Sequence, residues 1–218
     1  MSASSVLGRG LVARPGYPFI GAALGLTLVF WLLGWGFLAS LSFMAAAFFL
    51  NFFRNPKRLI PADPTVIVSP ADGKVILTDE VQENEFLQGP ARRVAIFMNV
   101  FDVHVNRAPV AGRVILSRHR PGRFLAAFKE EAARVNEQQV ILWETPANQR
   151  VVTVQIAGLL ARRIVPAVEE GSVVPKGGPM GMICFGSRVD LYLPRNCDII
   201  VKIGDRVKAG ASIIGRWS

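Results

Sequence analysis

The chain has 218 residues, 51% of them apolar, and a mean hydropathy of +0.35, which together suit one folded domain and a membrane segment. Two cysteines exclude a disulfide-rich scaffold, and two histidines without paired ligand spacing lack the pattern of a zinc site, so we expect no metal. A formal net charge of +9 predicts an acidic partner surface, which either nucleic acid or anionic lipid would provide.

The apolar excess lies near the N-terminus, because residues 15–53 contain no charged side chain. We expect a short cytoplasmic tail over residues 1–16. The Gly34-Trp35-Gly36 break divides the apolar run into two arms, each about 26 Å long as a helix against a hydrocarbon core of about 30 Å. The sequence therefore predicts a helical membrane hairpin over residues 17–53, with a cleaved signal peptide as the alternative.

Basic residues flank the predicted hairpin on both sides. Arg9 and Arg14 precede it, and Arg54, Lys57 and Arg58 follow it. The positive-inside rule then places the soluble part on the cytoplasmic side of the inner membrane. The other basic residues form short, dispersed pairs without the interleaved aromatic residues of single-strand binders, which favours lipid headgroups over nucleic acid. A solvated basic face is the alternative interpretation.

A β domain is predicted after the hairpin. Residues 54–64 form the expected linker, because two prolines fall within its last six positions. Over residues 65–218, short apolar segments alternate with turn residues, which predicts a mainly β domain with minor helix. The predicted strands are residues 66–68, 74–77, 94–98, 110–116, 140–143, 151–156, 164–168, 182–185, 189–193, 199–203 and 212–215. Residues 124–135 suit one or two turns of amphipathic helix or a packed loop.

The segment Met182-Ile183-Cys184-Phe185-Gly186-Ser187-Arg188-Val189-Asp190-Leu191-Tyr192-Leu193-Pro194 is the most informative part of the chain. Its last residues alternate between apolar and polar side chains, which predicts a half-buried strand that begins at the Gly186-Ser187 step. Glycine there permits a strained backbone, and the serine hydroxyl would lie beside the preceding carbonyl. Both cysteines, Cys184 and Cys197, fall in predicted strands and are expected to be reduced core residues.

Several blocks of the sequence carry a family resemblance. They are Phe53-Arg54-Asn55-Pro56-Lys57-Arg58, Ser69-Pro70-Ala71-Asp72-Gly73-Lys74-Val75, Asp102-Val103-His104-Val105-Asn106-Arg107-Ala108-Pro109 and Phe185-Gly186-Ser187-Arg188. In this order the blocks resemble those of the phosphatidylserine decarboxylase proenzymes. Separately, the turn between Gly204 and Gly210 resembles that of lipoyl and biotinyl carrier modules, which suggests a barrel-sandwich-like core.

The resemblance implies that the chain cleaves its own Gly186-Ser187 bond. The serine hydroxyl attacks the Gly186 carbonyl in an N-to-O acyl shift, which needs a base and donors for the oxyanion. The ester then eliminates to a dehydroalanine, and hydrolysis of its imine tautomer yields ammonia and a pyruvoyl group derived from Ser187. The products are a larger chain, residues 1–186, and a smaller chain, residues 187–218.

The same resemblance implies the reaction of the processed enzyme. The substrate amine would condense with the pyruvoyl group as a Schiff base, so that no added cofactor is needed. Phosphatidylserine in the membrane would lose carbon dioxide and leave as phosphatidylethanolamine, a step of phospholipid biosynthesis. A lipid substrate agrees with the predicted membrane hairpin.

Four side chains are candidates for roles beside Ser187. His104 is the candidate proton-transfer group, because a histidine both accepts and donates protons near neutrality. The resemblance implies that Asp72 faces this histidine and orients it. Many family members carry two histidines three positions apart, and Arg107 holds the second position here. An arginine cannot act as a base, so Arg107 and His119 are candidate substrate-binding residues.

Other functions stay open at this stage. A non-enzymatic membrane adaptor with a lipoyl-like β domain would explain the anchor and the Gly204–Gly210 turn, but not the histidine block. Pyruvoyl chemistry on a different amine would keep the mechanism and change the substrate. The oligomeric state, including a homo-oligomer, and the question of whether His104 serves both reactions are also undecided by the sequence.

Overall fold

The computed structural model describes residues 6–8, 10–159, 163–184 and 186–218. Arg9 and Phe185, both named above, lie outside the described residues, as does the start of the expected tail. Two apolar helices come first and a domain built mainly of strands follows. This arrangement confirms the predicted fold class.

The two helices form an antiparallel pair. They are α1 (Tyr17–Leu32), which follows a single 3-10 turn, and α2 (Gly36–Phe52). Gly34 adopts a φ of 74°, the left-handed conformation that commonly ends a helix, and so lets the chain reverse. The Phe19 and Phe49 rings pack between the helices at 5.6 Å. The helical run Arg14–Leu32 is long and apolar enough to cross a membrane, whereas α2 is apolar but shorter.

The described part of the expected tail packs against the base of this helical pair. The Asn55 amide donates to the Leu11 carbonyl at 2.6 Å, and the Ala13 amide donates to the Phe53 carbonyl at 2.8 Å. Leu7 and Ala13 are fully buried. The segment therefore forms a short ladder with the chain that leaves α2.

The β domain forms one large sheet and two small ones. Its elements are β1 (Val66–Val68), β2 (Gly73–Glu83), β3 (Gly89–Met98), β4 (Val105–Arg107), β5 (Gly112–Arg120), α3 (Ala132–Val135), β6 (Gln138–Glu144), β7 (Arg150–Ile156), β8 (Arg163–Pro166), β9 (Val173–Val174), β10 (Pro179–Cys184), β11 (Ser187–Pro194), β12 (Cys197–Ile199), β13 (Arg206–Val207) and β14 (Ile213–Trp217). Within the described residues, the large sheet has the order β13-β2-β3-β11-β7-β6-β5-β9, and the small sheets have the orders β4-β10-β8 and β1-β14-β12. β11 therefore lies between β3 and β7, antiparallel to both.

The large sheet has a different apolar cluster on each face. On the inner face, Val189, Leu191 and Leu193 of β11 join the main core. On the outer face, Tyr192 packs against a smaller cluster that includes Val152. The alternation read from the sequence is thus confirmed in β11, because successive side chains point to opposite faces.

The strand predictions differ from the structure mainly at short elements. The predicted strand over residues 199–203 ends at Ile199, because the Asp205 carboxylate accepts the Lys202 amide at 2.8 Å and turns the chain. The sequence pattern predicts no strand at β4, β9 or β13. Residues 124–135 contain only the single helical turn α3. Both cysteines are buried free thiols, as expected.

A buried ion pair joins the second and fourth residues of β11, Arg188 and Asp190. Arg188 Nε and Nη2 donate to the two Asp190 carboxylate oxygens at 2.5 and 2.8 Å, and both side chains are almost fully buried. Burial raises the pKa of Asp190, and the Arg188 charge opposes that shift. Removal of either partner would therefore leave an uncompensated charge in the protein interior.

We expect the substitution Arg188→Met to lower the free energy of unfolding by roughly 3–5 kcal/mol, because Asp190 would stay buried without its partner. The double variant Arg188→Met/Asp190→Leu should recover most of this loss. Urea unfolding in detergent, in a Ser187→Ala background that lacks the hydroxyl of the expected cleavage site, provides the measurement. Arg216→Met, which breaks an exposed pair with Asp63, is the control and should cost less than about 1 kcal/mol. Equal losses in both single variants would contradict the expectation.

Candidate active site

The Gly186-Ser187 bond lies at the entry to β11. Gly186 has a φ of +63°, a left-handed conformation that strains any other residue. Ser187 begins β11 opposite Met98 of β3 and is fully buried. Its Oγ has no hydrogen-bond partner in the described part of the chain. A buried hydroxyl without a protein partner carries a desolvation cost, and a catalytic role is one of the recognised reasons for such a group.

The Gly186 carbonyl is held by a close backbone approach. A Cβ added at Gly158 would collide with the Gly186 carbonyl oxygen and would lie 3.3 Å from the Ala127 Cβ. Only glycine fits at position 158 without displacing this carbonyl. The loop after β7 therefore lies directly against the carbonyl group of the candidate cleavage bond, and the loop before α3 lies beside Gly158.

His104 lies fully buried in the loop between β3 and β4. Its Nδ1 is 3.0 Å from the Asp102 carbonyl oxygen. A carbonyl only accepts hydrogen bonds, so Nδ1 carries the proton and Nε2 of the neutral ring carries the lone pair. Nε2 is buried and has no partner among the described residues.

The surroundings of His104 keep it neutral. Burial lowers its pKa to about 4, the nearby Arg54 charge acts in the same direction, and the hydrogen bond with Asp102 opposes both. At neutral pH the ring is therefore an uncharged base with a free Nε2. This is the state that general-base catalysis requires.

The strand register brings His104 and Ser187 to the same end of the domain. β3 ends at Met98, directly opposite Ser187, and β4 begins at Val105, opposite Met182 of β10. The loop that carries His104 therefore begins beside β11 and ends beside β10. These two strands lie on either side of the Gly186-Ser187 bond.

The end of α2 forms one wall of the histidine site. The Phe52 ring lies 4.1 Å from the His104 ring, centroid to centroid. The next basic residue, Arg54, donates to the Asn51 carbonyl at 2.6 Å and to the Phe101 carbonyl at 2.7 Å. The helical pair is therefore connected directly to the loop that carries the candidate base.

Among the described residues, Asp72 forms its hydrogen bonds with groups other than His104. Both of its oxygens accept hydrogen bonds from Arg58, at 2.9 and 2.7 Å, and one also accepts the Ala209 amide at 2.8 Å. Burial raises its pKa, and the Ala209 amide and Arg58 oppose that shift. In the described residues, the group that orients His104 is the main-chain carbonyl of Asp102. The orienting role of Asp72 stays a prediction.

The two candidate substrate-binding residues lie apart from each other. Arg107 donates to Asn55, Pro56 and Gly177, so its guanidinium connects the linker to the β domain. His119 is exposed on β5. Substrate binding by either residue also stays a prediction.

Two buried amides near Ser187 were not identified from the sequence. Gln155 donates to the Asn106 side chain at 2.7 Å, and Asn106 donates to Met98 Sδ at 3.3 Å. Gln155 Oε1 is buried without a partner in the described chain. Gln155 faces the same side of the sheet as Val189, its partner across β7 and β11. A glutamine at an inward position of a predicted strand was the signal that could have identified it.

Comparison with known proteins gives a consistent result. A family model described as phosphatidylserine decarboxylase matches residues 45–215. The phosphatidylserine decarboxylase proenzyme of Desulfotalea psychrophila is 45% identical over 205 residues, which cover 94% of this chain and 96% of that protein. Its counterpart from Syntrophus aciditrophicus is 48% identical over 208 residues, with coverage of 94% and 97%. The counterpart from Magnetococcus marinus is 42% identical over 208 residues and covers 95% of each chain.

We expect the substitution Phe52→Ala to raise the pKa of His104 from about 4 towards its ordinary value, because water would reach the ring. Nuclear magnetic resonance of histidine-labelled protein in detergent measures this directly, and the signal of exposed His119 serves as an internal reference. Phe49→Ala is the matched control, because the Phe49 ring contacts Phe19 and Phe48.

The same shift predicts how stability depends on pH. His104 is neutral when folded, so unfolding takes up a proton between about pH 6.5 and 4, and the folded state loses stability as the pH falls through that window. The loss should be smaller in Phe52→Ala than in Phe49→Ala. An ordinary His104 pKa in the unaltered protein would contradict both expectations.

Proposed function

Because this chain belongs to the phosphatidylserine decarboxylase family, we propose that it cleaves itself at Gly186-Ser187 and then decarboxylates phosphatidylserine to phosphatidylethanolamine. The observation that carries the proposal is that the Ser187 hydroxyl and Nε2 of the neutral His104 ring lie at the same end of the domain, each without a hydrogen-bond partner among the described residues. Family membership also argues against the non-enzymatic adaptor.

Residues of the site can be assigned to the steps of the proposed self-cleavage. Ser187 Oγ attacks the carbonyl carbon of Gly186 and gives its proton to His104 Nε2, which holds the lone pair. The carbon–nitrogen bond breaks and the protonated ring returns the proton to the leaving amine, which gives an ester. Removal of the Ser187 Cα proton then expels the Gly186 carboxylate. The left-handed backbone of Gly186, held against Gly158, favours this attack geometry.

The buried end of β11 also fits a pyruvoyl group derived from Ser187, because the Oγ position is enclosed and free of protein hydrogen bonds. When present, this group binds the substrate amine covalently and accepts the electron pair that the departing carbon dioxide leaves behind. His104 Nε2 is the proposed carrier of the proton that reaches the substrate Cα. The complete burial of the ring excludes water from that transfer.

Asp72 is proposed to act in this site by positioning the backbone around it. Its contacts join Arg58 in the linker to Ala209 in the last turn of the chain. A direct contact with His104 would require Arg58 to give up this ion pair. We therefore expect Asp72 to support catalysis mainly by holding the linker at the base of the helices.

The helical pair is proposed to anchor the enzyme in the inner membrane, with the β domain on the cytoplasmic side. The length and apolar surface of the run Arg14–Leu32 support this location. A lipid substrate keeps its acyl chains in the bilayer, and the Phe52 contact places the histidine site at the end of the helical pair. The anchor and the site are thus adjacent, as a reaction on a lipid headgroup requires.

We expect purified active protein to consist of two chains, with the smaller chain beginning at a pyruvoyl group in place of Ser187. Intact-mass measurement tests cleavage and the loss of the serine hydroxyl and amine together. Ser187→Ala should remain one inactive chain, because it has no nucleophile. Ser117→Ala, which removes a different partly buried hydroxyl, should be processed normally. Lipid decarboxylation by an intact Ser187→Ala chain would overturn the proposal, and a comparison of phosphatidylserine with free serine tests the substrate.

We expect Gly158→Ala to slow self-cleavage roughly 100-fold, because the new methyl group would displace the Gly186 carbonyl from its attack position. A time course of newly synthesised protein on denaturing gels measures the rate. Gly89→Ala is the control, since the nearest atom to its new methyl group would be the Leu87 carbonyl oxygen at 3.9 Å. Equal processing rates in the two variants would show that the close approach at Gly158 has no part in cleavage.

A further inference from the structure

Three large apolar side chains are exposed around the Gly186-Ser187 bond. Phe101, Phe128 and Leu159 are 67%, 61% and 61% exposed, and they come from three separate loops. We refer to these three residues as the rim. Exposed apolar side chains are ordinary when scattered, but a group of them around one site indicates a contact surface.

Each rim residue is connected to the candidate cleavage bond by a packing contact or by its position in the chain. Phe128 packs edge-on against Phe97, which lies opposite Arg188 in the sheet. Leu159 follows Gly158, the residue that the Gly186 carbonyl approaches. Phe101 lies three positions after Met98, the residue opposite Ser187.

The rim is continuous with the base of the helical pair. Arg54, two residues after the end of α2, donates a hydrogen bond to the Phe101 carbonyl. On the other side of Arg54, the short ladder described above presents Leu11, which is 69% exposed. When a helical hairpin is inserted in a bilayer, the residues around its base lie at the level of the lipid headgroups.

We propose that the rim inserts into the headgroup region of an anionic bilayer and forms a second membrane contact, separate from the hairpin. The proposal rests on the hairpin being the anchor. Aromatic side chains are favoured at this depth, where amphipathic surfaces bury apolar groups about 5–10 Å into the boundary. Basic groups lie beside the rim: Lys74 is exposed opposite Phe97, and Arg206 is exposed and forms an ion pair with Asp102 at 3.0 Å. The Lys74 ammonium matches an anionic lipid phosphate.

This contact would fix the orientation of the β domain on the membrane. A hairpin alone leaves the domain free to tilt about its base, whereas three further contacts around the Gly186-Ser187 bond hold that bond against the lipid surface. The headgroup of phosphatidylserine then needs to move only a short way out of the bilayer to reach residue 187. The rim would therefore act on substrate capture and leave the chemical step unaffected.

Environment-sensitive labels on the rim test the contact without measuring activity. Single cysteines introduced as Phe101→Cys, Phe128→Cys and Leu159→Cys are labelled with a nitrobenzoxadiazole dye, and the buried native thiols of Cys184 and Cys197 remain unreactive. On vesicles of phosphatidylcholine with phosphatidylserine, we expect a blue shift and quenching by lipid spin labels at all three sites. Ala147→Cys, at the exposed turn between β6 and β7, is the control and should show neither.

Two results would overturn the proposal. One is a set of rim labels whose emission is the same with and without vesicles. The other is a blue shift that appears without vesicles and grows with protein concentration, because that would show a second copy of the chain on this surface. Neither result depends on whether the chain cleaves itself, so a failure here is distinguishable from a failure of the proposed function.

A kinetic test follows from the role in substrate capture. The variant Phe101→Ser/Phe128→Ser/Leu159→Ser should still cleave itself and still sediment with vesicles through the hairpin. We expect its half-maximal rate to need a roughly tenfold higher vesicle concentration, with the maximal rate unchanged. On short-chain phosphatidylserine in detergent, the variant and the unaltered enzyme should be equal. A loss of activity in detergent, or an unchanged vesicle dependence, would contradict the proposal.

Discussion

The hydrogen bonding of β11 on both of its edges is the constraint on which the candidate site depends. β3 pairs with this strand from Ser187 to Pro194 and β7 from Arg188 to Tyr192, and its inward side chains lie in the main core. The position of Ser187 is therefore set by the large sheet and not by the turn that precedes it. If the bond to Gly186 breaks, the ladder that begins at Ser187 can persist, because none of its hydrogen bonds depends on the turn. A new chain end at this point would stay where the strand places it.

The contacts of His104 connect the proposed membrane anchor to the proposed site of proton transfer. One nitrogen donates to the Asp102 carbonyl, which fixes the tautomer, and the ring lies under Phe52 at the end of α2. Burial by an apolar neighbour disfavours the charged form of the ring and leaves a neutral base. The residues that end the hairpin therefore also tune the histidine. In the proposed enzyme, the packing of Phe52 against His104 therefore connects the membrane anchor to the group that transfers the proton.

Several motif residues have contacts that explain their positions without placing them in the reaction. Arg58 pairs with Asp72 across 14 positions, and Arg107 reaches the Asn55 side chain across 52. The Arg107 amide also donates to the Pro70 carbonyl. Blocks that are far apart in sequence thus meet where the linker leaves the helices. Arg107 is half-buried and connects the linker to the β domain, which gives a physical reason for an arginine at this position.

The sequence by itself determined the features that depend on local patterns. The charge-free run predicted the two helices, and the period-two alternation predicted β11 with its start at Ser187. The motif blocks indicated the family. Contacts between distant segments were decided only by the tertiary structure. No local pattern could show that Asp72 pairs with an arginine, that a carbonyl orients His104 or that Phe52 covers that ring. Side-chain partners and burial depend on strand register and on the packing of distant segments, which a one-dimensional pattern does not contain.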